Sequence, residues 1–315
     1  VTTVLGTPPP PTLPGTRTAD VVTGRRRRGR GLAHLGFIAP AVLLVAAVIY
    51  YSVGYTFWLS LTDSDGINPG AFVGLDNFAR AVSDPTTWAA LAHSALFLLV
   101  IPTQMLLGLV IAALLHSSVR LKGLYKVVVF IPTITATAVM APVFRQVFAA
   151  DGSVNDALET VGLGGLTQAW LGDPSWALPT LMVINVWQWT GLSFILYYAG
   201  LTQIEASTFE AARLDGASNL RILTSIIVPM MKGTHVTLLI LGVMGVLKTF
   251  DLVFLVTGGG PAKSTEFLST YIYETTITRF DAGYGAALSV LLLALSLGFT
   301  VWQMRRYRRA GGAGV

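Results

Sequence analysis

Six long apolar runs, at residues 37–61, 91–116, 125–148, 176–200, 234–256 and 281–304, alternate with polar stretches along the chain. A helix needs about 20 mostly apolar residues to cross the hydrocarbon of a bilayer, so each run predicts one membrane-spanning helix. The first follows a basic stretch, as a signal peptide would. At about 25 residues, though, it is longer than a signal core and no small-residue cleavage site closes it, so it reads as a retained span. Pro102, Pro132 and Pro142 fall inside runs and predict kinks, which neighbouring helices in a bundle tolerate. Small residues four apart, Gly108 with Ala112 and Gly285 with Ser289, would let helices approach closely. The expected fold is an all-α membrane protein of six transmembrane helices.

Charge gives that bundle an orientation. Arg25–Arg28 and Arg30 precede the first run; Arg120, Lys122 and Lys126 lie around the second-to-third connection. Arg213, Arg221 and Lys232 lie in the fourth-to-fifth, and Arg305, Arg306, Arg308 and Arg309 at the end. The alternate connections are acidic: residues 62–90 hold Asp63, Asp65, Asp76 and Asp84 against Arg80 alone. Residues 149–175 hold Asp151, Asp156, Glu159 and Asp173 with no Lys or Arg. The positive-inside rule then places both termini in the cytoplasm, N-in and C-in. Residues 1–34, with Pro8–Pro11 and the arginine run, read as a disordered basic cytosolic tail. Residues 35–305 read as the membrane domain and 306–315 as a short cytosolic tail.

Composition agrees. The chain is 53% hydrophobic and only 12% charged, against about 25% charged in soluble domains. The net charge of +5 resides at the membrane flanks, which argues against a nucleic-acid partner. The absence of cysteine excludes disulfides, thiolate metal sites and a catalytic thiol.

The most informative connection joins spans four and five. Ser207 followed by Glu210 fits a capping box and predicts a short helix from Thr208 to about Asp215. Gly216 suits the turn that ends it, Ser218 can cap a second helix through Ile227, and Pro229 would begin the return to the membrane. The run Glu210-Ala211-Ala212-Arg213-Leu214-Asp215-Gly216, then nine residues, then Ile226-Ile227-Val228-Pro229, resembles the EAA loop of binding-protein-dependent ABC importer permeases. Val228 stands where that pattern has Leu. Phe72-Val73-Gly74-Leu75-Asp76-Asn77-Phe78, and Phe250-Asp251 followed by Thr257-Gly258-Gly259-Gly260-Pro261, resemble the carbohydrate-uptake (MalF/UgpA-like) branch.

The resemblance covers about residues 35–305 and implies a multi-pass permease subunit of a bacterial-type cytoplasmic (inner) membrane. It implies a second permease subunit as heterodimer partner, a cytosolic ATPase dimer and an extracytoplasmic substrate-binding protein. In that family the EAA loop is a coupling helix seated on the ATPase. Glu210 would then offer a carboxylate to a basic group, Ala211 and Ala212 would permit close approach, and Asp215, Gly216 and Pro229 would complete the loop. No cofactor is expected in this chain, and ATP and Mg would be bound by the partner. Two near-matches to a phosphate-binding loop fail, because Leu247 precedes Lys248-Thr249 and Ala262 precedes Lys263-Ser264 where glycine is required. The chain is therefore not expected to be an enzyme.

Cargo contacts require polar groups and aromatic faces within the bundle. Asn185, Gln188 and Trp189 share one face of span four at i, i+3 and i+4, with Asn185 about 14 Å along the helix from Trp176. They are candidate pathway residues, the alternative being interhelical hydrogen bonds. Lys248 and Asp251, three apart in span five, suggest an ion pair, with Asp251 retained as a candidate cargo contact. Gln104 beside Pro102 is a further candidate, while Tyr50, Tyr51, Trp58, Tyr197 and Tyr198 fit interfacial belts. The competing function is a self-sufficient secondary transporter or channel, which calls for buried coupling acids or an internal repeat. The spans hold few such acids and show no clear repeat.

Overall fold

The computed structural model describes the backbone of residues 29–116 and 120–309 and the side chains of 38–116 and 120–306. The expectations for residues 1–28 and 310–315 lie outside them. Every regular element among the described residues is helical, with a single isolated bridge between Thr62 and Phe72. Two units divide the chain, Val1–Ser52 and Val53–Val315.

Helix α1 (Gly29–Leu59) fills the described part of the first unit and continues into the second. It starts inside the stretch expected to be a disordered tail through residue 34. Ile38, Val42, Leu43, Leu44 and Ile49 along it are all more than half exposed, an apolar surface suited to lipid rather than water.

In the second unit, α2 (Asp76–Ser83) and α3 (Pro85–Phe97) precede α4 (Val100–His116), and Pro85–His116 forms one apolar segment long enough to cross a membrane. The third expected span is not one rod. Helices α5 (Lys122–Ile134) and α6 (Thr137–Val147) meet at 95°, three residues beyond Pro132, which lacks the N–H that would continue the ladder. After α7 (Ser153–Thr160), α8 (Pro174–Leu201) runs about 42 Å at 1.5 Å per residue. The cytoplasm-assigned loop follows as α9 (Ala206–Leu214), α10 (Asn219–Ile222), a π-helical turn (Leu223–Ile227) and α11 (Val228–Met230). The fifth expected span divides into α12 (Lys232–Leu247) and α13 (Asp251–Val256). Then come α14 (Leu268–Tyr273), a second π turn (Glu274–Thr278) and α15 (Ala282–Arg309), which runs past the expected end at Met304.

By length and apolarity, three helices among the described residues can cross a membrane, or five when each bent pair is counted as one span. Helix α8, expected as span four, is not among them. Asn185, Gln188 and its tryptophans and tyrosines lower its apolarity, and its buried face packs within protein. Helices α4 and α8 meet at Gly108, where a Cβ would come within 2.6 Å of the Ser193 Cβ. At Gly191 a Cβ would lie 2.6 Å from the Val129 carbonyl oxygen of α5. These close approaches explain why α8 is buried along Leu181, Ile184, Phe194 and Leu201.

The acidic first connection is held to the end of the bundle by its own motif. Asn77 donates from Nδ2 to the carbonyls of Ser60 (3.0 Å) and Thr62 (2.8 Å). Asp84 caps α3 through Thr86 N–H (2.9 Å) and accepts from Tyr271 (2.5 Å) and Tyr284 (2.8 Å) hydroxyls. Arg80 lies 3.9 Å over the Tyr284 ring and pairs with Asp281. Burial alone would raise the Asp84 carboxyl, but the bonds from Tyr271, Thr86 and Tyr284 outweigh it and hold it below the usual carboxylate range. Asp84→Asn is expected to cost about 1–2 kcal/mol near neutral pH, as hydrogen bonds to a charged acceptor are lost. With the native pKa below the unfolded value of about 3.9, this stabilisation is present above that value and lost as the pH falls through the native one. Thermal unfolding in detergent checks this: the gap between wild type and variant closes in acid, and a pH-independent gap contradicts it.

Candidate functional site

Helix α8 presents Asn185, Gln188 and Trp189 on one side, and α4 brings Gln104 to it. Gln104 donates from Nε2 to the Asn185 side-chain oxygen (2.9 Å) and to its carbonyl (3.1 Å). Gln188 donates to Thr137 Oγ1 (3.2 Å) and reaches the Thr135 carbonyl at the bend between α5 and α6. Thr133 Oγ1 in turn donates to the Gln188 carbonyl (2.7 Å). The interhelical reading of Asn185 and Gln188 therefore holds for these bonds, and the bend in span three is satisfied by span four. The same residues also line a cavity of about 360 Å³ together with Gln104, Trp189, Lys248 and Asp251. Asn185 and Gln188 are 8% and 4% exposed, whereas Trp189 is 41% exposed, so the ring is the accessible face of the site.

The expected Lys248–Asp251 ion pair is not formed: the ion pairs among the described residues are Arg80–Asp281, Lys263–Glu274 and Arg279–Glu274. The reason is local. Helix α12 ends at Leu247 and α13 starts at Asp251, so a three-residue spacing no longer puts both side chains on one helical face. Ser269 Oγ donates to the Thr249 carbonyl within the break, and Phe250 stacks on Phe254 at 5.0 Å. Lys248 and Phe250 thus join the lining from the break, and Thr137 joins it without having been singled out. Thr137 could be found only by knowing the angle at which α6 leaves α5.

The loop after α8 departs from its expected caps. Helix α9 begins at Ala206 with Glu205 as its N-cap residue, so Ser207 lies within the first turn and forms no capping box. Its hydroxyl donates instead to Glu205 Oε2 (3.3 Å). The far end is as expected, since Gly216 has φ +74°. Gly216 N–H bonds the Arg213 carbonyl and Ala217 N–H the Ala212 carbonyl, the paired bonds of a Schellman cap that favour glycine in the left-handed region. Ala212 is buried, while Glu210, Ala211 and Asp215 are exposed and Leu214 and Leu220 are 90% and 68% exposed. Ser218 caps α10 through Arg221 N–H (3.3 Å). The chain does not turn at Pro229. The π turn absorbs its missing donor within Asn219–Met230, and the chain turns by 70° at Met231 instead.

Two side chains tie this loop to the helices. A carbonyl only accepts, so His235 Nε2–H donates to the Val228 carbonyl (3.0 Å) and Nδ1 accepts from the Tyr197 hydroxyl (2.6 Å). Tyr197, expected in an interfacial belt, is 1% exposed. Tyr50, Tyr51 and Trp58 are more than half exposed, as a belt requires. No sequence pattern pointed to the tyrosine–histidine pair, which depends on how α8 and α12 are placed.

The family of binding-protein-dependent transport system inner membrane components matches residues 104–310. This chain belongs to it. The lactose transport system permease protein LacF of Rhizobium radiobacter is 32% identical over 280 residues, 87% of this chain and 94% of that one. The trehalose/maltose transport system permease protein MalF of Thermococcus litoralis is 32% identical over 284 residues, 88% and 95% of the two chains. In structure, the chain shares its fold with a bacterial ABC transporter involved in the import of the acidic polysaccharide alginate. The TM-score is 0.77 at 18% identity, covering 89% of this chain and 96% of that chain.

Proposed function

We propose that the chain is a permease subunit of an ATP-driven sugar importer, with six spans, both termini in the cytoplasm, and α8 serving as span four. Residues 35–305 form the membrane domain on this reading, flanked by cytosolic tails at 1–34 and 306–315. The observation that carries it is convergence. Gln104 from α4, Asn185, Gln188 and Trp189 from α8, and Asp251 from the break in span five line one cavity. The walls of that cavity are bonded through Tyr197 and His235 to Val228 of the loop. A force applied to the loop is thereby delivered to helices that hold the cargo.

Glu210, Ala211, Ala212, Asp215, Gly216 and Pro229 form the coupling segment, and exposed Leu214 and Leu220 give an ATPase an apolar surface to seat on. ATP and Mg are bound by that ATPase, with none held here. The remaining partners are a second permease subunit and an extracytoplasmic binding protein. The cavity carries one cation and one carboxylate beside a tryptophan, which suits a neutral sugar better than an anion, and lactose and trehalose/maltose name the systems of two relatives. The importer reading is favoured over a self-sufficient transporter by family membership. Uptake of labelled lactose, maltose or trehalose into vesicles carrying this chain with its partners tests the proposal.

A further inference from the structure

A second cavity, of about 380 Å³, lies in the connection between α13 and α15 and shares no residue with the first. It falls within the 300–1,000 Å³ usual for small-molecule sites. Its floor is Glu266, only 5% exposed. Thr270 Oγ1 donates to Glu266 Oε1 (2.6 Å), while no hydrogen bond reaches Oε2 from the described residues. The opening before Oε2 exists because residue 259 is glycine: a Cβ there would stand 2.6 Å from that oxygen. Gly258 and Gly259 both have positive φ (62° and 86°), so the turn that forms the opening needs residues tolerant of that region.

The other charges nearby are already matched. Glu274 accepts from Arg279 (2.8 Å) and lies 3.6 Å from Lys263. Two carboxyl groups face two cations, leaving no excess charge to select an anion or a cation. Phe254 and Tyr273 line the same cavity, 39% and 37% exposed, with ring centroids 4.9 Å apart. A carboxyl oxygen that opens on the cavity beside accessible aromatic faces is suited to a ligand with both hydroxyl and C–H surfaces. Burial pushes the Glu266 carboxyl above its usual range, with the Thr270 bond opposing.

We propose that this cavity is a second site for a neutral, ring-sized polyhydroxylated ligand, with Glu266 accepting a ligand hydroxyl and Tyr273 and Phe254 packing on its C–H face. The proposal rests on the sugar-importer reading and adds to it a stop for cargo separate from the central cavity.

Saturation-transfer NMR with lactose, maltose and trehalose, on the full chain with its partner permease in nanodiscs, tests it. In a Trp189→Ala background at least one sugar is expected to retain signal, and that signal is expected to fall at least threefold on adding Tyr273→Ala or Glu266→Gln. Tyr273 is partly exposed, so its truncation spares the fold, and size-exclusion behaviour confirms assembly. Signal wholly lost with Trp189→Ala, or residual signal unmoved by both substitutions, overturns the second site and leaves the central reading standing. Silence from all three sugars in the wild type overturns both.

Discussion

Gly216→Val is expected to reduce sugar uptake at least tenfold while the chain still inserts and assembles, and Glu210→Ala is expected to do the same. At Gly216 the cause is backbone geometry. With φ at +74°, a β-branched residue costs about 1–2 kcal/mol and the Schellman bonds to Ala212 and Arg213 are put at risk. Helix α9 is then re-aimed relative to Asn219–Met230, and Leu214 and Leu220 no longer present one surface. At Glu210 the cause is charge: the carboxylate is exposed and on the coupling reading meets a basic group of the ATPase. Uptake and ATP hydrolysis measured in the same vesicles check the result. Hydrolysis with little uptake is expected, and wild-type uptake by both variants would remove the coupling role from this loop.

The second large effect is expected at the central cavity. Trp189→Ala should raise the sugar concentration for half-maximal uptake about tenfold, the equivalent of about 1.4 kcal/mol, through loss of an aromatic face. Asp251→Asn should act in the same direction by weakening the carboxylate's hydrogen bonds to cargo. Asn185 needs a different control, because Asn185→Leu also removes one of the two acceptors of the Gln104 amide, itself 7% exposed, at a cost of about 1 kcal/mol. The double variant Gln104→Leu, Asn185→Leu removes both partners and restores stability without restoring uptake if Asn185 also contacts cargo. Kinetics of binding-protein-dependent uptake read both effects. A Trp189→Ala permease with unchanged sugar dependence would assign the cavity to structure alone.

Much of this molecule was legible because lipid and short-range geometry restrict the choices. Apolar runs located the helices, and Gly216 foretold a left-handed turn. The i, i+3, i+4 face of α8 did bring Asn185, Gln188 and Trp189 to one cavity. What sequence spacing did not reveal depends on breaks. A Lys248–Asp251 pair needs a continuous helix, and three non-helical residues, Lys248 to Phe250, separate α12 from α13. Ser207 fits a cap by spacing, but α9 starts earlier, at Ala206, with Glu205 as its N-cap residue. The 95° bend after Pro132 brings Thr137 to Gln188, and a proline announces a kink without its angle. Tyr197 carries the composition of a belt residue and the position of a strut, and only the packing of α12 against α8 distinguishes them.

The central claim is that the helices move cargo only when another chain's ATPase moves the loop. Uptake of a labelled sugar should therefore be measured in vesicles holding this chain, its partner permease and the binding protein, with and without the ATPase. Uptake is expected only when the ATPase and ATP are both present, and to vanish when either is omitted. Sugar accumulation at an undiminished rate in vesicles lacking any ATPase would contradict the account and leave a self-sufficient transporter in its place.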